Sequence, residues 1–296
     1  MQHKGGYTIE SIELRALAIR EHIITMLEEA GSGHSAGPLG LADIYAALYF
    51  HVLKHDPQKP DWSERDRLIL SCGHTVPVRY AAMAEAGYFP RKELLTLRKF
   101  GTRLQGHPHN LDLPGMETSS GPLGQGLSQA IGFATAALMD GEKWHTYCIL
   151  SDGEHQEGQI WEALMYAGSR NLHNLTVFID RNNIQIDGPT ESIMPLEPLA
   201  DKYRAFNWHV IEIDGHNIQQ IIDACNEAKA ITEHPTCILA HTIPGKGVSY
   251  MEYDFRWHGT PPGLQNLPGS PEKDEQVKIA LHDLRTLKGK IRGEHE

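Results

Sequence analysis

Apolar side chains recur at helical spacing near the start of the chain, at Ile12, Leu14, Leu17, Ile19, Ile23 and Leu27, with Thr8 placed to cap the first turn. A second helical stretch is predicted over 37–51, with Pro38 just inside its start. The rhythm then changes. Short apolar or β-branched runs fall at 67–70, 147–150, 175–179, 208–213 and 236–240, and helical patterns at 76–86, 123–139, 159–169 and 218–231 separate most of them. Continuous apolar strands alternating with helices predict an α/β protein, a doubly wound parallel sheet with helices on both faces. A proline- and glycine-rich run at 259–270 marks a boundary, and 272–287 reads as a charged, weakly amphipathic surface or docking helix. The expected division is a domain over 1–262 and a linker with a helical tail over 263–296.

Composition narrows the possible functions. The 296 residues are 40% hydrophobic and 22% charged, ample for a full core. A net charge of −11 opposes sequence-independent nucleic-acid binding, which needs a basic surface. Four cysteines without a CxxC pair fit reduced thiols. The longest mostly apolar stretch, 130–139, is far short of the roughly 20 residues that span a bilayer, and the first residues hold no apolar signal core. The expectation is a cytoplasmic protein with neither a membrane nor a nucleic-acid partner.

Candidate chemistry gathers where the strands end. The five runs are followed by Ser71-Cys-Gly-His74, Ser151-Asp-Gly-Glu154, Asp180-Arg-Asn-Asn183, Asp214-Gly-His-Asn217 and His241-Thr-Ile-Pro-Gly-Lys246. Ligands of open parallel sheets bind beyond the carboxyl ends of the strands. Turn geometry alone also favours Gly, Asp and Asn, but five such loops in succession exceed it. The strongest pairing joins Asp152-Gly153 to Asn182-Asn183, which one βαβ unit brings to the same sheet edge. A carboxylate, an amide oxygen and nearby carbonyls are hard donors suited to Mg²⁺ or Ca²⁺, and Gly153 lets a phosphate approach the backbone.

Ser119-Ser-Gly-Pro-Leu-Gly-Gln-Gly126 runs into a helix whose free N–H groups would favour an anion; the competing reading is a packing loop whose glycines bring helix and sheet together. Gly31-Ser-Gly-His-Ser-Ala36 has the letters of a dinucleotide fingerprint but follows a helix, with no acidic strand end about 20 residues on, so that reading fails. Four of the 18 histidines, His34, His74, His107 and His258, sit in loops beside glycine or proline. Loop histidines are ordinarily just solvated. As a set, these could hydrogen-bond a polyhydroxylated or phosphorylated ligand and move protons near neutral pH.

In order along residues 10–262, Gly31-Ser-Gly-His-Ser-Ala-Gly-Pro38, Ser71-Cys-Gly-His74, Gly106-His-Pro108, Gly121-Pro-Leu-Gly-Gln-Gly126, Ser151-Asp-Gly153 with Glu157-Gly158, Asn182-Asn-Ile-Gln-Ile-Asp-Gly188 and His258-Gly-Thr-Pro261 resemble the N-terminal, diphosphate-binding part of transketolase. The resemblance implies the thiamine diphosphate-binding fold of the diphosphate (PP) type, with thiamine diphosphate held through Mg²⁺, for which Ca²⁺ or Mn²⁺ can substitute. By position, Asp152, Asn182 and the Ile184 carbonyl would be the metal ligands. His74, Gly153, Glu154 and His258 would lie near the diphosphate, Gly121 and Leu123 along the cofactor's rings, and Ile186 against the thiazolium. His34, His107 and His258 would face the sugar, binding its hydroxyls and assisting proton transfer. The implied activity moves a two-carbon glycolaldehyde unit from a ketose (phosphate) to an aldose (phosphate).

Three positions depart from the family pattern. Ser151 replaces the usual first glycine of Gly-Asp-Gly, Glu154 lies in a variable stretch beside the diphosphate, and His109 stands where an acidic residue commonly follows Gly-His-Pro. The family also carries a pyrimidine-binding domain with the glutamate that activates the cofactor. Here only about thirty residues follow the first domain. That domain is therefore expected on a separate partner chain, most simply in an A₂B₂ assembly. Alternatives of the same cofactor class are a subunit of a 2-oxo acid dehydrogenase or a deoxyxylulose-phosphate-synthase-like protein; an alternative of another class is a non-catalytic scaffold.

Overall fold

The computed structural model describes residues 6–286. Helix α1 (Ile9–Ala30) starts where Thr8 Oγ1 accepts the Ser11 N–H at 3.2 Å and stops at Gly31, whose φ of 61° supplies the left-handed turn. The stretch predicted as one helix over 37–51 is instead α2 (Ala36–Gly40), α3 (Ala42–Ala47) and a wide π turn over Leu48–Val52. Packing explains the break: a Cβ at Gly40 would lie 3.0 Å from the Ile243 carbonyl oxygen, so this segment is pressed against the loop after the last strand.

The remaining elements follow in the expected alternation: β1 (Arg67–Leu70), α4 (Val76–Ala86), α5 (Gln125–Asp140), β2 (Thr146–Ser151), α6 (Gly158–Ser169) and β3 (Leu175–Arg181). Then come a two-residue hairpin, β4 (Ile184–Gln185) with β5 (Gly188–Pro189), and the short helices α7 (Thr190–Ile193) and α8 (Leu199–Ala205). The chain continues through β6 (His209–Asp214), α9 (Ile218–Ala230), β7 (Thr236–His241) and α10 (Lys273–Thr286). The hairpin and α7 occupy the one interval between strands that lacks a helical pattern.

The five long strands form a single parallel sheet in the order β1-β2-β3-β7-β6. Successive side chains of a strand point to opposite faces, and each face has its own core. Tyr147, Ile149, Phe178 and Ile238 pack with α1, α3, α4 and α9, whereas Cys148, Leu150, Val177, Ile179 and Leu239 pack with α5, α6 and α8. Both faces are covered, which is why the strands read as unbroken apolar runs. Among the described residues no helix is long and apolar enough to cross a membrane. All four cysteines are buried and unpaired.

The segment after residue 262 is fastened to the same body. Ala280 and Leu284 of α10 join the core that contains α1, and Gln276 is fully buried, accepting from the Gly263 N–H and donating to the Gln265 and Pro271 carbonyls. The last residue of the predicted 272–287 helix, and everything after it, lies outside the described residues.

Candidate functional site

The carboxyl ends of β1, β2, β3 and β7 deliver their loops to one edge of the sheet, and hydrogen bonds knit them together. Asp152, fully buried just past β2, directs Oδ2 to the Arg181 guanidinium at 3.0 Å, the Asn183 N–H at 2.8 Å and the Thr190 hydroxyl at 3.4 Å. Its other oxygen, Oδ1, takes only the Gly153 N–H, at 2.7 Å. The two loop tips paired from sequence therefore touch. Burial pushes the Asp152 carboxyl up to about 6, against the pull of Arg181 and the two amides.

Asn182 is oriented from both ends of its amide. Nδ2 donates to Asp180 Oδ2 at 2.7 Å, and Oδ1 accepts the Ile184 N–H at 3.0 Å. Asp180 is itself buried, holds the Thr242 hydroxyl, and is pushed up to about 7 chiefly by burial. Across the hairpin from Ile184 stands Pro189, which has no N–H to occupy the Ile184 carbonyl. Asp152 Oδ1, Asn182 Oδ1 and that carbonyl form one anionic and two neutral oxygen donors, a set whose chemistry fits Mg²⁺. Among the described residues no group of three or more His, Cys, Asp or Glu could hold a metal, so this mixed set is the better candidate.

Arg181 reads in the sequence as a mere spacer. It is 2% exposed and also grips Glu191 at 2.6 Å and Glu197 at 2.9 Å, tying the hairpin and α7 to the Asp152 loop. The signal that could have found it is an arginine placed between two residues of a polar strand end, where burial demands a carboxylate partner.

A histidine cluster forms the other end of the site. The rings of His34, His74 and His258 lie 4.8, 5.4 and 5.2 Å apart, and His107 approaches Gly121. Burial is the leading cause that depresses all four: His34 falls to about 3, His258 to about 4, His74 well below its ordinary value, and His107 below its own. Neutral rings can each donate and accept. Nδ1 of His34 and Nδ1 of His258 are buried without a hydrogen-bond partner among the described residues, a costly state that a polar ligand would relieve. Ile186 and Gln185 bridge the two ends. A Cβ on Gly259 would lie 3.6 Å from Ile186 Cδ1 and 3.8 Å from His34 Nε2, and one on Gly153 would lie 3.6 Å from Gln185. Ile186 is 63% and Leu123 37% exposed, two apolar side chains facing outward at the rim.

The loop before α5 is tightly packed. A Cβ on Gly126 would fall 2.4 Å from Ser71 Cβ, and the Gly124 and Gly126 amides are already taken by Glu154 and Ser71 Oγ. The anion site expected at this helix start thus loses two of its free N–H groups, because side chains of neighbouring loops reach them first. Glu154 is fully buried and accepts from Ser71 Oγ at 2.6 Å, Gly124 N at 2.8 Å and Ser151 N at 2.9 Å, while Ser151 Oγ lies 3.4 Å away. Two of the departures from the family pattern, Ser151 and Glu154, are therefore partners in one knot. The third, His109, is half exposed and lies 3.4 Å from Asp112.

The buried histidines set the acid response. His34, His74, His107, His145, His155 and His258 all have folded values below the ordinary 6.5, so the unfolded chain binds more protons as pH falls through 6.5. Each contributes stability that is complete above pH 6.5 and lost on descent toward its folded value, at about 1.4 kcal/mol per unit. Asp152 and Asp180, raised to about 6 and about 7, and Asp66 and Glu154, also raised by burial, work in the opposite sense. Six histidines against four carboxyls leave the sign with the histidines. The urea midpoint is expected to fall between pH 6.5 and 5, and a midpoint that rises over that range refutes the burial of these rings as neutral species.

Comparison with known proteins adds the following. Residues 12–270 match the family described as transketolase, thiamine diphosphate binding domain. The chain is 48% identical to the 6-deoxy-6-sulfo-D-fructose transketolase subunit SqwG of Clostridium sp. (strain MSTE9), covering 83% of this chain and 90% of that protein. It is 38% identical to an apulose-4-phosphate transketolase subunit of Phocaeicola vulgatus, covering 91% and 96%. Among solved structures it is similar to transketolase from Leishmania mexicana, with a TM-score of 0.81 at 32% identity, covering 96% of this chain and 45% of that one.

Proposed function

We propose, from the premise that this chain belongs to the transketolase family through its thiamine diphosphate binding domain, that it is the cofactor-binding subunit of a two-subunit transketolase. With Mg²⁺, thiamine diphosphate and a separate pyrimidine-binding chain, it would transfer a two-carbon glycolaldehyde unit between sugars. The observation that carries this reading is the junction of Asp152 with the Asn183 backbone, which sets oxygen donors at the same sheet edge as three clustered histidines. The two named relatives are subunits that this chain matches over nine-tenths or more of their length, while it spans under half of the Leishmania chain; both facts support a separate partner. Their names specify ketoses with an anionic end, a sulfonate or a phosphate. Sugars of that kind are the proposed substrates.

Bound thiamine diphosphate supplies the carbon nucleophile and the electron sink. The chain's own residues hold, orient and exchange protons. Asp152, Asn182 and the Ile184 carbonyl would hold Mg²⁺, with Arg181 engaging Oδ2 of the Asp152 carboxylate and leaving Oδ1 with the Gly153 N–H alone. Gly153 leaves room for the diphosphate, and Gly121, Leu123 and Ile186 offer surface to the rings. His34, His107 and His258 would bind sugar hydroxyls and pass protons as neutral bases, with His74 and His258 also toward the diphosphate. Glu154 acts at one remove, since its oxygens are filled by the loops it ties.

Glycolaldehyde transfer from xylulose 5-phosphate to ribose 5-phosphate tests the reading. The purified chain alone, with Mg²⁺ and thiamine diphosphate, is expected to be inactive and to gain activity with the pyrimidine-binding chain that co-purifies with it. Robust transfer without that chain ends the split-enzyme reading. Turnover of pyruvate in place of the ketose would favour a 2-oxo acid dehydrogenase subunit.

A further inference from the structure

A cavity of about 290 Å³ opens at the far side of the same sheet edge, where β6 and β7 end. Asp214 and His241 close these two strands as register neighbours, and both line it. His216 from the loop after β6, with Thr242, Lys246 and Tyr253 from the loop after β7, extends the wall. Among the described residues, none assigned above to the metal, the coenzyme or the histidine cluster lines it.

The wall is fixed before any ligand arrives. His216 is held at both ring nitrogens, by Asp43 at 2.8 Å and by the Ile243 N–H at 2.8 Å, and its own backbone N–H donates to Asp214 Oδ1 at 2.8 Å. The Thr242 hydroxyl donates to Asp180. The loop that carries Lys246 and Tyr253 is closed by the Gly247 N–H on Glu252 at 2.8 Å and by the Tyr253 N–H on the Pro244 carbonyl at 3.2 Å. Preformed walls lower the ordering cost of binding. Tyr253 is the residue that points to a ligand. Its backbone is left-handed (φ 61°), an outlier for so bulky a side chain, yet the residue is 69% exposed. Core packing therefore does not account for the strain, and strain of this kind gathers at ligand clamps.

The chemistry of the wall selects the ligand. The Asp214 carboxylate and the Lys246 ammonium offset one another, and Glu212 stands 3.6 Å from His241, so there is no cationic surplus to favour a phosphate. Hydroxyl groups, which each donate and accept, match such a mixed wall. The phenol ring adds an apolar face with a polar tip, suited to the C–H face of a sugar ring. We propose that this cavity binds one uncharged monosaccharide or sugar alcohol, at a place separate from the coenzyme and its reacting sugar. Its occupancy is independent of the transketolase reading above.

The full chain is titrated with D-xylose and with xylitol by calorimetry and saturation-transfer NMR, beside its Tyr253→Asn, His241→Ala and His34→Ala forms. The wild type is expected to bind one or both with a millimolar Kd, as suits so small a ligand. Tyr253→Asn and His241→Ala should each weaken that binding about tenfold. Asparagine tolerates left-handed backbone, so Tyr253→Asn should melt no lower than the wild type while losing the ligand. His34→Ala, which removes a ring of the histidine cluster, should bind as the wild type does. Preference for xylose identifies a sugar ring against Tyr253, and equal or tighter binding of xylitol an open chain; either supports the proposal. No binding of either at about 100 mM overturns it. So does binding that His34→Ala abolishes and both cavity variants keep, or inorganic phosphate binding more tightly than either sugar and failing in His241→Ala.

Discussion

Asp152→Ala is expected to abolish metal-dependent uptake of thiamine diphosphate and to lower glycolaldehyde transfer by the two-subunit enzyme by about a thousandfold or more. Asp152 is the one anionic donor in the oxygen set, and the neutral oxygens of Asn182 and Ile184 cannot offset the dehydration of Mg²⁺ alone. The substitution also strips Arg181 of its buried partner at 3.0 Å and the Asn183 amide of its acceptor at 2.8 Å. The loop tips should therefore loosen as well as lose charge. Asp152→Asn separates the two effects, since it keeps the shape and one acceptor oxygen while removing the charge. Calorimetric titration of cofactor with and without Mg²⁺ reads the binding, and a melting curve without metal reads the fold. Wild-type turnover by Asp152→Ala would assign the chain a scaffold role.

The sheet was legible because both its faces are covered. A strand buried on one side alternates, but β2 and β3 bury every residue, so 147–150 and 175–179 stand out as unbroken apolar runs. The loops were legible as a group, since polar residues at the ends of such runs can only cluster at the sheet edge. What stayed hidden was side-chain traffic between loops. Glu154 follows Asp152-Gly153 in sequence and so invites a place beside a diphosphate, yet its oxygens turn inward to β1 and to the start of α5. Periodicity cannot register such a turn, because it depends on which donors from distant segments happen to be left unpaired. Arg181 was missed for the same reason: its partners Asp152, Glu191 and Glu197 lie 29, 10 and 16 residues away. The break between α2 and α3 was equally invisible, being imposed by the Ile243 carbonyl against Gly40.

Glu154→Ala should destabilise the fold by about 4 kcal/mol and disarm the site without removing any group that touches a ligand. A buried carboxyl with no cation against it would ordinarily be protonated, and burial does push its value up. Yet the groups around it, two amides and two hydroxyls, can all donate. The ionised form accepts from them all; a protonated one would need the Ser71 or Ser151 hydroxyl to turn and accept its hydrogen. Truncation strands the Ser71 hydroxyl and the Gly124 and Ser151 amides in a dry interior, each at a cost of about 1–3 kcal/mol. Glu154→Gln keeps one acceptor oxygen but turns an NH₂ toward a donor, so its loss should be about half as large. The three tied segments lead to His74, to Gly121 with Leu123, and to Asp152, so loosening the knot should weaken cofactor binding at every one of these contacts together. Urea melts of the two variants, read beside their affinity for thiamine diphosphate with Mg²⁺, test this. If Glu154→Ala melts like the wild type and binds cofactor normally, the carboxylate does not hold the loops, and their arrangement comes from other contacts, such as the close packing of Gly73 on Ser120 and of Gly126 on Ser71.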